Sequence, residues 1–356
     1  MNGERRMMNS KRIKRGLRLS PFAKMPVYHL FRFIMKRKGI DRVLQKSGVS
    51  EDKKTMRNLM RRAMILHRWD FDEVIMYHYK DLSDEERRSF VPEYDKNVFC
   101  DKVNDYETSK VFDSKWMSYC KFQDYYQRSC VCILKSSIKN NKQLSLFLQN
   151  HLRFILKPDS SACGRGIQII DAANETDALN RIKEGIGNSD GLFVAEELII
   201  QNDEMGRFHP QSVNTVRIPT IRFDDRVEIV HPFVRVGRGG SIVDNAGAGG
   251  VFGNIEAETG HVYAACDEFG HRFSIHPDTG IPIVGFFIPR WKEAVSLAKD
   301  LAMVVPSVRY VGWDLALTDK GWLMVEGNDK GQFVFQCPDQ KGFRNELVQI
   351  EKELKL

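Results

Sequence analysis

Three oxygen-bearing side chains near the C-terminus have the types and spacing of a metal site. Asp314 lies in an apolar run at 310–317, and a turn at 319–321 joins this run to a second one that leads to Glu326 and Asn328. Side chains alternate across an antiparallel hairpin, so the three oxygen donors converge on one face. Hard oxygen ligands suit Mg²⁺, which takes further ligands from water and from nucleotide phosphates. The pattern predicts a Mg²⁺ and phosphate site; an ordinary hairpin with exposed acids is the alternative.

A strand followed by a glycine-rich loop is the second candidate. The strand at 153–157 ends in Lys157, and a loop of small residues follows at 160–166. Gly164 and Gly166 allow backbone N–H groups to approach phosphate oxygens closely, and the lysine would place a positive charge on those oxygens. The spacing matches neither the Walker A loop nor the dinucleotide fingerprint, so a plain glycine-rich hairpin stays open as the alternative.

Two further strand-like segments carry polar groups that would act on a nucleotide. The strand at 193–200 runs into a polar linker, which would present backbone groups and a nearby carboxylate to an adenine edge. Arg217 and Arg235 lie in β-rich runs, where each would stabilise charge on a transferring phosphoryl group. For each arginine taken singly, a surface strand with an outward side chain is the alternative.

The elements that would hold these residues form a helical first part and a mixed second part. Apolar spacing predicts helices at 26–35 and 51–69, and the capping-box sequence at 83–86 predicts a short helix that ends before Pro92. The order from 112 to 148 is helix, strand, helix. Beyond it the prediction consists of strands at 153–157, 191–195, 216–223 and 227–236, helices at 175–186 and 290–304, glycine-rich turns at 237–253, and the hairpin. The predicted fold class is α+β.

Composition narrows the class of protein. The chain has 356 residues, of which 42% are hydrophobic and 28% charged, and it has no run of about 18 apolar residues. This predicts a globular enzyme-sized protein with two or three lobes. The seven cysteines form no CxxC pair and the nine histidines no HExxH spacing, which argues against a disulfide framework and a zinc site. A cytoplasmic location is expected, since no apolar leader-like segment opens the sequence.

The net charge of +7 is concentrated at the start of the chain. Residues 1–46 are dense in lysine and arginine, with only Glu4 and Asp41 as acids. The apolar residues among them, such as Leu30 and Phe31, are spaced as in interfacial helices, so peripheral contact with the inner face of a membrane is one expectation. Core packing of these residues, with a solvated basic face, is the other. No nucleic-acid partner is expected.

Taken in order, these segments resemble the ATP-grasp superfamily, and more narrowly the sugar-transfer-associated ATP-grasp proteins of bacterial polysaccharide clusters. The resemblance covers about 111–335. It depends on the residue patterns at 197–201, 213–217, 243–250 and 312–328. It implies the ATP-grasp fold, in which two α+β lobes clasp ATP between antiparallel sheets. The implied division is a mainly helical, basic region at 1–110, a small lobe with its preceding segment at 111–205 and a large lobe at 206–356.

The resemblance also implies roles for single residues. Lys157 contacts phosphate, residues 160–166 cover the triphosphate, and residues 197–199 form the hinge around adenine. Arg217 lies near the γ-phosphate and acyl phosphate. The implied catalytic residues are Arg217, Lys157, Arg235 and Asn245, and the implied ligands of one or two Mg²⁺ ions are Asp314, Glu326 and Asn328. The implied ATP contacts are Lys115 (preferred to Lys121), Lys157, Ser160, Ser161, Gly164, Gly166, Glu196, Glu197, Leu198, Ile199, Gln201 and Asn214.

The chain departs from the superfamily at two places. Ser114 precedes Lys115 where an acidic residue is usual, and a helical segment stands where many members carry a compact α/β domain. Recognition of substrate by the first region is therefore not implied by the resemblance.

The activity that the resemblance implies is ADP-forming ligation. A substrate carboxylate takes the γ-phosphoryl group of ATP, with Mg²⁺ as cofactor, and an amine then displaces phosphate to give an amide. The implied partners are a small-molecule carboxylate and amine, which would be sugar-linked in polysaccharide biosynthesis, and a second copy of the chain in a homodimer. Two alternatives stay open: a kinase that phosphorylates a hydroxyl, and a non-catalytic nucleotide-binding module on a membrane-associated glycan assembly system.

Overall fold

The computed structural model describes residues 47–48, 52–161 and 164–356. The predicted helix at 26–35 and the rest of the basic opening segment lie outside the described residues, as do Ala162 and Cys163 in the predicted phosphate loop. Among the helices of the described part, none combines the length and the apolar composition that crossing a bilayer requires.

The described residues form helices and antiparallel strands in alternation. The α-helices are α1 (Lys53–His67), α2 (Phe71–Met76), α3 (Asp84–Ser89), α4 (Glu93–Val103), α5 (Tyr106–Ser109), α6 (Lys115–Lys121), α7 (Gln123–Tyr126), α8 (Lys142–Asn150), α9 (Glu175–Ile186), α10 (Asp203–Gly206), α11 (Trp291–Val304) and α12 (Arg344–Glu353). Short 3₁₀ helices span Tyr79–Asp81, Lys110–Asp113, Lys135–Asn140, Ala246–Ala248 and Val334–Gln336. The strands are β1 (Cys130–Ile133), β2 (Arg153–Pro158), β3 (Gln168–Asp171), β4 (Phe193–Glu197), β5 (Thr215–Arg222), β6 (Val227–Ile229), β7 (Phe233–Val236), β8 (Val251–Ile255), β9 (Val262–Cys266), β10 (Tyr310–Thr318) and β11 (Gly321–Asn328). The α+β prediction is confirmed.

Local capping begins two helices of the first part. Asp52 starts α1 because its side chain accepts a hydrogen bond from the Lys54 backbone N–H at 2.7 Å, and Arg68 ends the helix in a left-handed conformation with φ of 62°. Ser83 and Glu86 form the reciprocal bonds of a capping box at the start of α3. The helix predicted after 83 is confirmed, and the one predicted at 51–69 forms over Lys53–His67, while Glu51 lies outside the described residues.

A four-stranded antiparallel sheet of order β1-β4-β2-β3 forms the small lobe. Phe154 and Leu156 of β2 point to one face and are fully buried in a core that α8 and α9 complete. Because side chains alternate along a strand, Lys157 points to the opposite face, and so does Glu196 of the neighbouring β4. The small lobe therefore presents a lysine and a glutamate away from its own core.

A seven-stranded sheet forms the large lobe, in the order β11-β10-β5-β7-β8-β9 with β6 paired to β5. Helix α11 covers one face, which carries Val216, Ile218 and Leu315. The other face carries Phe233, Phe252 and Tyr310, and these pack against the helices of residues 53–103 and against the C-terminal segment. The helical first part is thus built onto the large sheet, on the face to which the Arg217 side chain also points.

The glycine-rich segment after β7 is shorter than predicted. The turns were expected to continue through Gly253, but β8 already begins at Val251. Gly253 serves close packing rather than a turn, since a Cβ atom there would lie 2.9 Å from the Val262 side chain on β9. A glycine inside a strand is hard to tell from a turn glycine when only the sequence is read.

Candidate active site

The hairpin of β10 and β11 brings the three predicted metal ligands to one face of the large sheet. Asp314 is the direct cross-strand partner of Glu326, and Gly312 is the partner of Asn328. A bulge follows Asp314, so Val325 has no partner of its own in the register. The Asn328 side-chain amide donates to the Glu326 carboxylate at 3.1 Å. Glu326 is exposed, whereas Asp314 is buried.

An open cavity separates this hairpin from the small lobe. Val325, Glu326 and Asn328 line its large-lobe side. The opposite side is lined by Lys115 and Ser161 among others, and by Lys157 from β2. Two lysines therefore face a carboxylate and an amide across one cavity.

Lys115 begins helix α6 and ties that helix to the predicted phosphate loop. Ser114 caps the helix by accepting a hydrogen bond from the Met117 backbone N–H at 3.1 Å. The Lys115 ammonium donates to the carbonyl oxygens of Asp159 at 3.2 Å and Ser161 at 2.5 Å. Burial lowers the pKa of this ammonium, with Lys157 adding to the effect, although Glu326 opposes it. Lys115, rather than Lys121, is the early lysine that lines the cavity.

Lys157 is held by a buried carboxylate that is shared with a second cation. Its ammonium forms an ion pair with Glu196, whose other oxygen accepts from the Arg128 guanidinium at 2.5 Å. Burial alone would raise the pKa of Glu196, but the charges of Arg128 and Lys157 outweigh it and lower that pKa to about 2. Glu196 is therefore a carboxylate throughout the physiological range.

Arg128 is a residue that the sequence analysis did not select. Its guanidinium also donates to the carbonyl oxygen of Met324 at 2.6 Å, so it links the Glu196 carboxylate of the small lobe to strand β11 next to Glu326. It stacks over the Tyr126 ring at 4.5 Å as well. The one signal in the sequence was a cation three residues before the β-rich run at 131–134, close to aromatic residues.

Asp314 is the centre of a buried ion network on the large sheet. Arg217, its cross-strand partner on β5, binds both carboxylate oxygens, and Arg235 approaches one of them at 3.0 Å. Burial would raise the pKa of Asp314, but the two guanidinium groups outweigh it and hold the pKa below its usual value. Both predicted catalytic arginines thus lie beside the hairpin.

A second carboxylate continues this network. Asp244 lies 3.4 Å from the Arg235 guanidinium and accepts hydrogen bonds from the backbone N–H and the hydroxyl of Thr215. Burial raises the pKa of Asp244, while Arg235 opposes the increase. The next residue, Asn245, caps the 3₁₀ helix Ala246–Ala248, since its side chain accepts from the Gly247 backbone N–H at 3.1 Å. Asn245 therefore follows a residue of the ion network directly in the chain, and its role in the site stays a prediction.

The predicted phosphate loop reaches from the small lobe to the large one. Gly164 and Gly166 have positive φ values of 69° and 76°, which glycine adopts without strain. A Cβ atom on Gly164 would lie 3.2 Å from Val243, so this part of the loop packs against the glycine-rich segment that follows β7. Ser160 lies beside Asp159, to whose carboxylate its hydroxyl donates at 3.4 Å.

The predicted hinge leaves β4 at Glu197, whose carboxylate accepts from the Ser129 backbone N–H at 2.9 Å. Leu198 and Ile199 follow, half-buried, outside any strand. The Gln201 side chain then accepts a hydrogen bond from the Asn214 backbone N–H at 2.9 Å and donates one to the Asn214 carbonyl oxygen at 3.1 Å. The Asn214 side chain is fully buried and donates to the Met205 carbonyl at 2.8 Å, so it does not reach the cavity.

The oxygen donors that face the cavity fit a Mg²⁺ ion held together with a nucleotide. Glu326 supplies a carboxylate and Asn328 an amide oxygen, which leaves positions for water and phosphate ligands. Asp314 stays a predicted ligand, although in this conformation its oxygens receive hydrogen bonds from Arg217 and Arg235. Over residues 52–161 and 164–356, no group of three His, Cys, Asp or Glu side chains is arranged to hold a metal ion on its own.

The lowered pKa of Lys115 leads to a prediction about pH. An ammonium whose pKa is lowered gives up its proton at a lower pH than an ordinary lysine does, so an attraction for phosphate would be lost as the pH rises through the lowered value. We expect ADP affinity to fall on the alkaline side, and Lys115→Arg to move this fall to higher pH because arginine stays charged. Calorimetric titrations with ADP between pH 7 and 10.5 measure this pH dependence of the affinity, with Lys121→Arg as control. Identical pH profiles for all three proteins would contradict this role.

Comparison with known proteins gives one family and several distant structures. A model of the family described as sugar-transfer associated ATP-grasp matches residues 95–352. Solved structures that are similar include D-alanyl-alanine synthetase A from Vibrio cholerae (12% identity, TM-score 0.42, covering 70% of this chain and 66% of that one), the VanG D-Ala:D-Ser ligase from Enterococcus faecalis (12%, 0.47, 71% and 64%) and D-alanine–D-alanine ligase from Bacillus anthracis (12%, 0.44, 86% and 94%). This chain thus spans less than two thirds of the length of the first two. No curated protein matches it significantly.

Proposed function

This chain belongs to the sugar-transfer-associated ATP-grasp family, and on that premise we propose that it is an ATP- and Mg²⁺-dependent ligase that joins a carboxylate to an amine. The observation that carries the proposal is the cavity between the lobes. Lys115 and Lys157 line one side of it, and Glu326 and Asn328 line the other. Cations for phosphate and oxygen donors for Mg²⁺ thereby meet in one space, as phosphoryl transfer requires.

Each side of the cavity would hold a different part of the nucleotide. The two lysines bind phosphate oxygens, and the backbone at 197–199 binds the adenine edge. Glu326 and Asn328 hold the metal, which when bound neutralises charge on the phosphates. The ion pair with Glu196 orients the Lys157 ammonium before the nucleotide arrives, and phosphate then becomes a second anion beside this lysine.

The reaction proceeds in two steps that need no side-chain nucleophile. An oxygen of the substrate carboxylate attacks the γ-phosphorus, the bond to the bridging oxygen breaks, and ADP leaves with an acyl phosphate remaining. The amine nitrogen then attacks the acyl carbon, inorganic phosphate leaves, and the nitrogen loses a proton. Arg217, beside the Glu326 hairpin, stabilises the negative charge that develops on the transferred group.

The proposal for the substrate class is supported by the description of the family rather than by the cavity. A carboxylate or amine attached to a sugar is the proposed substrate, in the assembly of a bacterial cell-surface polysaccharide. A cytoplasmic location, peripheral contact with the inner membrane face through the basic residues 1–46, and a homodimer remain proposals of the same kind.

ADP release with a hydroxylamine trap tests the reaction class. Pools of candidate acids, without amine, are incubated with ATP and Mg²⁺, and hydroxylamine is added to capture acyl phosphate as a hydroxamate. The proposal expects ADP and hydroxamate in equal amounts, and amide when an amine replaces hydroxylamine. A phosphorylated product that resists hydroxylamine would identify a kinase instead. Nucleotide binding without turnover over all pools would favour a non-catalytic module.

A further inference from the structure

The segment that follows the metal-binding end of β11 is held by side chains on all three of its carbonyl groups. Asn328 is followed by Asp329, Lys330 and Gly331, which we call the β11 exit segment. The Asp329 carbonyl accepts from Asn104 at 2.7 Å, and the Lys330 carbonyl accepts from the Lys96 ammonium at 2.8 Å. The Gly331 carbonyl accepts from the Tyr310 hydroxyl at 3.1 Å. Surface loops more often leave such groups to water.

Two of these three donors belong to the helical first part of the chain. Lys96 lies on α4, with 1% of its surface exposed, and its ammonium is compensated by Glu93 at 3.2 Å. Asn104 ends the same helix, where it also donates to the Tyr310 carbonyl at 2.9 Å and accepts from the Tyr310 N–H at 2.8 Å. It therefore joins the beginning of β10 to the residue that follows the end of β11.

The β11 exit segment also borders Arg217. A Cβ atom on Gly331 would lie 3.4 Å from an Arg217 guanidinium nitrogen, and one on Gly312 would lie 3.0 Å from the Arg217 side-chain Cδ. A displacement of the segment would therefore also shift Asn328, the residue directly before it, and would change the contacts of the Arg217 side chain beside it. Because metal ligands and charge-stabilising groups act only within narrow geometric limits, such a displacement would weaken the site.

We propose that Lys96 and Asn104 are positioning residues, through which the helical first part of the chain fixes the metal-binding end of β11. Neither side chain lines the cavity that holds Glu326, so both act through the backbone of residues 329–331. This inference rests on the proposed Mg²⁺–nucleotide site. It gives the helical region a role in the large lobe that does not depend on substrate recognition.

Lys96→Met tests the inference, with Lys102→Met as a matched control. Methionine keeps much of the length of the lysine but cannot donate to the Lys330 carbonyl. Lys102 lies on the same helix, but its ammonium pairs with Glu351 of α12 at 3.0 Å, away from β11. We expect the Mg²⁺ concentration for half-maximal ADP binding to rise about tenfold in Lys96→Met, and affinity for metal-free ADP to change less than twofold. Lys102→Met should match the unaltered protein in both titrations.

Hydrogen exchange of the full chain gives a readout that needs no ligand. Amides at 326–333 should exchange faster in Lys96→Met than in Lys102→Met. Asn104→Asp is the second variant, because it keeps the acceptor for the Tyr310 N–H and loses the donor to the Asp329 carbonyl; it should show the same pattern. Equal Mg²⁺ dependence in Lys96→Met, Asn104→Asp and the control would overturn the inference. Lack of Mg²⁺-dependent ADP binding in the unaltered chain would instead overturn the proposed function.

Discussion

Glu326→Gln is expected to lower Mg²⁺-dependent ADP release by at least about 100-fold while the protein stays folded. The carboxylate is exposed to the cavity, and its hydrogen-bond partner is the neighbouring Asn328 side chain at 3.1 Å. Glutamine keeps the shape and the hydrogen-bonding capacity but removes the charge that a hard divalent cation requires. Since no buried ion pair is broken, the free energy of unfolding should change by no more than about 0.5 kcal/mol.

The measurement is coupled-enzyme detection of ADP over a Mg²⁺ titration, together with denaturant unfolding. Asp319→Asn is the matched control, because Asp319 lies in the turn at the opposite end of the same hairpin and contacts Asn202 at 2.8 Å. The control should keep its turnover. Full turnover in Glu326→Gln would contradict the assignment of Glu326 to the metal.

The sequence was informative where function depends on local alternation. The hairpin prediction required only two apolar runs joined by a turn and the alternation of side chains across a strand, and the register indeed pairs Asp314 with Glu326. The helix at 175–186 agrees with α9 to the residue, since Asn174 provides its cap and the apolar positions have helical spacing. Lys157 was found because it ends a strand directly before a glycine-rich loop.

Contacts between distant parts of the chain could not be read in this way. Arg128 and Glu196 are 68 positions apart, and nothing in either local sequence indicates that one guanidinium bridges a β4 carboxylate and a β11 carbonyl. The same holds for Lys96 and the Lys330 carbonyl, which are 234 positions apart. Such pairs result from how lobes pack, and packing depends on the whole core rather than on periodicity.

The ion network of Asp314 is the clearest case of this limit. The sequence grouped Asp314 with Glu326 because the two share a face of the hairpin. It could not show that Arg217 and Arg235, from two other strands, point to the same carboxylate. Which face of the hairpin an acid shares is set locally, but its exposure is set by the neighbouring strands. Asp314 is therefore buried and Glu326 exposed, although both belong to the same predicted set of ligands.

Asp314→Asn is therefore expected to act differently from Glu326→Gln. Removing the charge leaves the Arg217 guanidinium buried without its main counterion, a change that typically costs about 3 to 5 kcal/mol of stability. ADP release should fall as well, because asparagine keeps only one of the two acceptor oxygens, so Arg217 loses one of the two bonds that orient it. Denaturant unfolding and ADP release measured on the same samples separate the two effects. Together the two variants distinguish an exposed metal ligand, Glu326, from a buried carboxylate that orients Arg217, Asp314.

A double variant gives the stronger form of this test. Arg217→Met added to Asp314→Asn removes the uncompensated guanidinium, so part of the lost stability should return, whereas ADP release should not. Glu228→Gln is the control, because the exposed Glu228 side chain on β6 of the same sheet pairs with Arg226, and such surface pairs contribute less than about 1 kcal/mol. If Asp314→Asn were as stable as this control and lost only its Mg²⁺ dependence, Asp314 would act as a metal ligand, and its bonds to the arginines would have to open when nucleotide binds.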